Sequence, residues 1–312
     1  QCLAMVRKWS NERVQWGAPI GKHEAVASKM TKIAAQLFAM ESITWLTSNL
    51  LDKGVKNVKS EAAAAKLYAS ETAWEIGDLA LQIRGGRGYE TATSLKNRGD
   101  FAFPMERMLR EVRINRIIEG TSEIMKLLLA RELVDLHMKI AGKMMLPKTP
   151  IVEKIKIFAQ ATLFYMTWYP RQWINTAYLP FKHLKQGKFA KDFRYVEAKA
   201  HEMARTIFQS MAIHQIKLEK KELLLGRLVD IAVELFAISA TVSRALNMMK
   251  NDKENAKAIY ATAKTYIDLA KEKINSYFEQ IYINNDAKNY KYARKVLDGE
   301  MKWMEDGVVP IL

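Results

Sequence analysis

The 312-residue chain has a single cysteine, Cys2, which excludes an internal disulfide framework and a cysteine-based zinc site and suits a reducing compartment. Glycine and proline are scarce, at 14 and 7, which argues against the many turns of a β-sandwich or barrel. The longest uncharged run, Ile157 to Pro170, has 14 residues, short of the roughly 20 that cross a bilayer. The five histidines show no metal-ligand spacing, and no Ser/His/Asp or Cys/His arrangement can be assembled. An initiator methionine and a secretory leader are also missing. The opening Gln1-Cys2-Leu3-Ala4-Met5-Val6 reads as a cut through a helix, so the chain is expected to be a fragment of a longer polypeptide.

What is present favours helices. Hydrophobic residues make up 49% of the chain, and Ala, Leu, Lys, Met and Glu dominate. Apolar residues recur with helical period over 1–15, 23–51 and 59–84. A short helix is expected from Pro104 and a long one from Gly120-Thr121 to about Gly142. Glycines at 54, 85, 86 and 88 stand where helix stops belong. Pro147 and Pro150 bracket a linker, after which helices are expected at 195–217, 219–249, 253–284 and 287–305. The fold class is therefore all-α: an up-and-down bundle over 1–146, followed by a second helical domain over 151–312.

Charge separates partner classes. The chain carries 49 Lys and Arg against 34 acids, a net +15, which implies an acidic partner. Residues 141–191 hold nine basic residues and one acid, Glu153, together with a crowd of aromatics broken by Pro170 and Pro180. No zinc finger, RNP motif or arginine-rich recognition helix accompanies them, so nucleic acid is not expected. An anionic membrane surface docked by residues 151–193, without crossing, is the reading that fits.

Three segments can carry chemistry. Gly85-Gly86-Arg87-Gly88 follows a helix and permits left-handed backbone and close approach to a ligand, although a helix stop explains it equally well. Ile117-Ile118-Glu119-Gly120-Thr121-Ser122-Glu123 sets a carboxylate between isoleucines and a glycine, just ahead of a helix N-terminus. By spacing alone, Glu119 is equally a solvated loop acid and Thr121 a simple N-cap. Glu12-Arg13-Val14-Gln15-Trp16-Gly17 places an arginine fork and an indole at a helix end, where they could clamp a phosphate and stack on a ring, or be an exposed charge and a core aromatic.

Taken in order, these segments resemble the C-terminal helical domain of the acyl-CoA dehydrogenases. The resemblance rests on Glu12-Arg13-Val14-Gln15-Trp16-Gly17 with Pro19-Ile20, then Gln82-Ile83-Arg84-Gly85-Gly86-Arg87-Gly88-Tyr89, Leu109-Arg110-Glu111-Val112-Arg113-Ile114, Ile118-Glu119-Gly120-Thr121-Ser122-Glu123-Ile124 and Ala130-Arg131-Glu132. It covers about residues 1–145. It implies that Glu119 is the base that removes the α-proton of a fatty acyl-CoA while the β-hydride passes to FAD. It also implies that Arg13, Trp16, Gln82, Gly85, Gly86, Thr121 and Glu123 meet the cofactor, with Arg13 and Trp16 reaching the flavin of a neighbouring subunit. The family's N-terminal helical and β-domains are absent from the chain, so this fragment alone should not catalyse. Three departures stand out: Glu24 follows His23 where a Gln is usual, Tyr89–Pro104 is longer than in typical members, and Glu123 replaces a Gln or Asn.

Beyond residue 146 the arrangement is similar to the very-long-chain branch, whose members add a helical domain for membrane association and dimerisation. The best local likeness runs from His214-Gln215-Ile216-Lys217 through Leu224-Leu225-Gly226-Arg227-Leu228 to Ser243-Arg244-Ala245. The resemblance implies long-chain α,β-dehydrogenation in fatty acid β-oxidation, electron-transfer flavoprotein as electron acceptor, and a homodimer. It places the protein in the bacterial cytoplasm or mitochondrial matrix, peripherally on a membrane. The alternatives are a non-catalytic membrane-associated assembly protein on the same fold and an acyl-CoA oxidase.

Overall fold

The computed structural model describes residues 1–146, 148–174, 179 and 181–305. Among them are twelve α-helices and one two-residue hairpin, so the all-α expectation holds. Pro147, Pro180 and Tyr178 lie outside the described residues.

The long helices fall where the apolar period places them: α2 at Glu24–Asp52, α3 at Lys59–Arg84, α7 at Ser122–Met145, α10 at Glu222–Asn251 and α11 at Ala256–Tyr282. The first helix is shorter than expected. Helix α1 spans Cys2–Glu12, and residues 13–15 leave it for a hairpin in which β1, Val14–Gln15, pairs antiparallel with β2, Ala18–Pro19. Trp16 and Gly17 form its two-residue loop at φ +47° and +77°, the left-handed pair that a tight hairpin requires. The polar insert also holds structure: α4, Gly86–Tyr89, and α5, Ala92–Asn97, the latter capped by the Thr91 hydroxyl accepting from the Ser94 amide at 3.2 Å. Helix α6 is Met105–Ile114.

In the C-terminal half, α8 spans Ile151–Arg171 with Pro170 in its last turn, where its ring removes one i→i−4 hydrogen bond and the helix runs only one residue further. Helix α9, Ala190–His214, starts five residues earlier than expected and ends three sooner. A 3-10 segment, Gln215–Lys220, links it to α10. The final helix, α12, stops at Leu297 instead of 305 and is followed by a 3-10 turn at Lys302–Met304.

One core runs from Ala35 on α2 to Ile281 on α11. Helix α10 lies inside it and touches α2, α7, α9 and α11. Its buried side chains, among them Leu228, Val229, Ile231, Leu235, Ile238 and Val242, are not confined to one stripe. A helix apolar on every side has to be covered on every side, and each fully buried Leu or Ile contributes about 1.5–3 kcal/mol. A smaller cluster, including Val6, Ile33, Ile76, Ile83 and Met105, joins α1, α2, α3 and α6.

The start of α9 is tied to α11 by a buried charge. Asp192 is 2% exposed and accepts from Lys264 at 2.8 Å and Lys271 at 2.5 Å. Burial disfavours the charged Lys264, but its hydrogen bonds to Asp192 and Asp268 outweigh it and push the ammonium up to about 12. Asp192→Ala should cost about 3 kcal/mol, because two lysines lose their buried counter-charge; equilibrium denaturation at pH 7 measures it. Because the Lys264 pKa rises on folding, its contribution is complete below about 10.5 and is lost as pH climbs through about 12.

Candidate active site

The segment between α6 and α7 is a tight loop. Its turn is set by amides of Ile117 and Ile118 donating to the Ile114 carbonyl at 2.9 and 3.0 Å. The Ser122 amide closes it by donating to the Arg116 carbonyl at 3.1 Å. Glu119 sits at its apex with φ +53°, a left-handed backbone that costs a non-glycine residue free energy. Gly120 follows at φ +90°, and a Cβ there would come within 2.9 Å of the Met125 sulfur. Thr121 then caps α7, its hydroxyl accepting from the Ile124 amide at 3.3 Å.

The loop lies on the middle of α3. Lys66 donates to the Gly120 carbonyl. Arg116 Nε donates to Glu71 at 2.7 Å, and the Ser122 hydroxyl donates to the same Glu71 oxygen. Glu119 is exposed and lines a cleft of about 210 Å³ with Lys66, Ala69, Ser70, Ala73, Asn115 and Ile118. Among the described residues no donor reaches its carboxylate. Half-exposed Ile117 and Ile118 flank it. A carboxylate free of internal partners, raised on a constrained loop beside an open cleft, is placed to take a proton from a bound molecule. Glu123, exposed in the first turn of α7, is held below the usual carboxylate range by its own amide and the Thr121 hydroxyl.

The other site residues group elsewhere. Gln82, Gly85 and Gly86 are exposed at the C-terminal end of α3, where Gly85 has φ +66°. Gly88 packs so tightly on α3 that a Cβ would meet the Leu81 carbonyl at 2.8 Å. Buried Arg84 anchors this end, donating to the Phe101 carbonyl at 2.7 Å and stacking over Trp9 of α1 at 4.8 Å. Arg13 and Trp16 project from the hairpin, Trp16 being 90% exposed, with His23 edge-on at 5.7 Å and its Nε2–H donating to the Gln15 carbonyl at 3.0 Å. At 1.5 Å per residue, Gly85 lies about 22 Å along α3 from Ser70. Within one chain, therefore, the described contacts unite the Glu119 loop with the middle of α3 and the glycine turn with α1.

The sequence reading passed over Lys66, Glu71 and Arg116. A usable signal existed: Glu71, Glu75 and Asp78 recur at i, i+4 and i+7, an acidic stripe on a helix that is otherwise rich in alanine.

Residues 1–134 match the family model "Acyl-CoA dehydrogenase, C-terminal domain", and residues 188–301 match "ACAD9/ACADV, C-terminal domain". The chain belongs to the acyl-CoA dehydrogenase family. Over 99% of its length it is 44% identical to the probable acyl-CoA dehydrogenase FadE10 of Mycobacterium tuberculosis, and covers 48% of that protein. Over 76% of its length it is 26% identical to the mitochondrial very long-chain specific acyl-CoA dehydrogenase of Homo sapiens, covering 34% of it. The chain thus spans about half the length, or less, of these curated relatives. Its fold is similar to that of an acyl-CoA dehydrogenase from Bacillus anthracis solved in complex with FAD, with a TM-score of 0.67 at 20% identity over 90% of this chain and 45% of that one.

The loop's backbone gives a direct test. Gly120→Ala forces a side chain into left-handed backbone and against Met125, and should destabilise the fold by about 1–2 kcal/mol. Thermal and chemical unfolding of the variant would measure the loss.

Proposed function

We propose that the chain is the catalytic-base-bearing part of an FAD-dependent dehydrogenase that introduces an α,β double bond into long-chain fatty acyl-CoA in β-oxidation. The observation that carries the reading is Glu119: an exposed, unpartnered carboxylate held in left-handed backbone at the mouth of a cleft, in a member of this family. Glu119 takes the proton from the α-carbon. A thioester α-proton is weakly acidic, so the carboxylate has to be held close to it and shielded from water.

The residues present suit a flavin dinucleotide. Gly85 and Gly86 are exposed, and a Cβ built on either meets nothing within 4 Å, leaving room for a ligand against the backbone. Arg13 offers a guanidinium fork matched to a pyrophosphate, and Trp16 offers a bare indole face. In this reading Arg13 and Trp16 serve the flavin of a partner in a homodimer, while Gln82, Gly85, Gly86, Thr121 and Glu123 contact the dinucleotide. When bound, FAD supplies the acceptor for the β-hydride, and electron-transfer flavoprotein takes the electrons onward. The exposed cluster at the hairpin, and the separation of the glycine turn from the Glu119 loop along α3, support a site shared between subunits. The compartment follows the relatives, bacterial cytoplasm or mitochondrial matrix.

The test is Glu119→Gln in the full-length flavoprotein. The variant should retain its FAD absorbance, and bleaching by acyl-CoA should slow by about 10²-fold or more, the scale of a lost general base. Bleaching at the wild-type rate would remove Glu119 from the reaction.

Residues 151–193 form the second element of the proposal, a surface that docks on anionic lipid. Among the described residues no helix is long and apolar enough to cross a membrane. Helix α8 carries two apolar faces. Tyr165 and Trp168 pack with His137 and Phe208, and Phe164 packs on both of them, whereas Ile151, Val152, Ile155, Phe158, Leu163 and Met166 are exposed along the other side. Trp173 and Phe181 are exposed as well, beside a mostly basic surface. Flotation should require anionic vesicles, weaken with salt, and fall sharply when Phe158, Trp173 and Phe181 are changed to Ser. Equal flotation on neutral vesicles, or none on either, would reject the surface.

A further inference from the structure

Glu119 occupies a strained conformation in an exposed loop, and such a conformation persists only where its surroundings over-determine it. The restraints converge on α3. Arg116 and Ser122 each stand three residues from Glu119, one on either side, and both donate to the same oxygen of Glu71. The Arg116–Glu71 contact is 2.7 Å. Directly between these two legs, Lys66 of α3 holds the Gly120 carbonyl. The Ser122 amide ties the loop's ends together through the Arg116 carbonyl at 3.1 Å.

A second restraint comes from the C-terminal half of the chain. Lys126, one turn into α7, donates to Asp230 of α10 at 2.7 Å. The helix that begins at the base loop is thereby pinned on one side by α3 and on the other by α10.

We propose that Glu71 is a positioning residue for Glu119: its carboxylate clamps both ends of the base loop, and Asp230 braces the clamp from the C-terminal helices through Lys126. The proposal rests on Glu119 being the base. The Arg116 and Glu71 side chains are about a quarter and a third exposed, 26% and 36%, and half-exposed ion pairs add little to global stability. Their value lies in geometry. A base displaced by about 1 Å can lose on the order of 10²-fold in rate, so a clamp of small thermodynamic weight can carry a large kinetic effect.

The experiment uses full-length flavoprotein carrying Glu71→Ala, Glu71→Gln, Ser122→Ala or Glu119→Gln. Four quantities are read: kcat and KM for acyl-CoA, anaerobic flavin bleaching, and amide hydrogen exchange of residues 115–122, the last also without substrate. Glu71→Ala should lower kcat about 10- to 100-fold with KM within about twofold, and exchange in the loop should rise at least about tenfold while α10 stays protected. Glu71→Gln keeps an acceptor oxygen and should recover most of both. Ser122→Ala removes one leg and should give an intermediate effect; it remains informative if Glu71→Ala fails to fold. Wild-type kcat and loop exchange in Glu71→Ala, or in Ser122→Ala should Glu71→Ala fail to fold, would overturn the clamp even when Glu119→Gln is inactive. Normal bleaching by Glu119→Gln would overturn the base assignment and the clamp's role with it, whatever the exchange shows.

Discussion

The structure depends on hiding helix α10. Thirteen of its side chains are buried, and Val229, Ile231, Ala237, Ile238, Val242 and Ala245 have no exposed surface at all. No single neighbour can cover such a helix. It is enclosed by α11 and α9 from its own half of the chain and by α2 and α7 from the other, so the two halves are joined by one apolar core instead of meeting at a polar seam. Helix α8 contrasts with it, since one apolar face is packed and the other is left open.

Where α10 passes α3 and α7, charged groups enter the core and have to be paired. Glu234 is 5% exposed, accepts from the Tyr266 hydroxyl at 2.7 Å and from Lys273 at 3.3 Å, and burial pushes its carboxyl up. Asp230 is raised by burial too, against the opposing pull of Lys126. These groups border a cavity of about 470 Å³ that also reaches Glu71 and Arg116. The polar edge of the core is therefore continuous with the groups that hold the Glu119 loop, and the packing of the C-terminal helices bears on where a single carboxylate points.

The parts of this arrangement that are local in sequence could be read from it. Helical period placed α2, α3, α7, α10 and α11, and Gly85 marked left-handed backbone. The hairpin after α1 escaped notice because Val14-Gln15 continues the apolar helical pattern, although the backbone is already extended at Arg13 and turns back at Trp16 and Gly17. Contacts that span the chain left no local trace: Lys126 and Asp230 are 104 residues apart. Aromatic density in 151–193 was visible, but not its partition. Phe164, Tyr165 and Trp168 share one face of α8, where Tyr165 and Trp168 pack against His137 and Phe208, and Phe189 is fully buried. Phe158, Trp173 and Phe181 are left outside.

If one core joins the halves, they have to lose structure together. Native-state hydrogen exchange across a denaturant series measures this directly, since each amide reports the free energy of the opening that exposes it. The most protected amides of α2, α3 and α7 should merge with those of α10 and α11 into a single unfolding isotherm. Opening of α10 and α11 at a lower free energy, with α2, α3 and α7 still protected, would contradict the account.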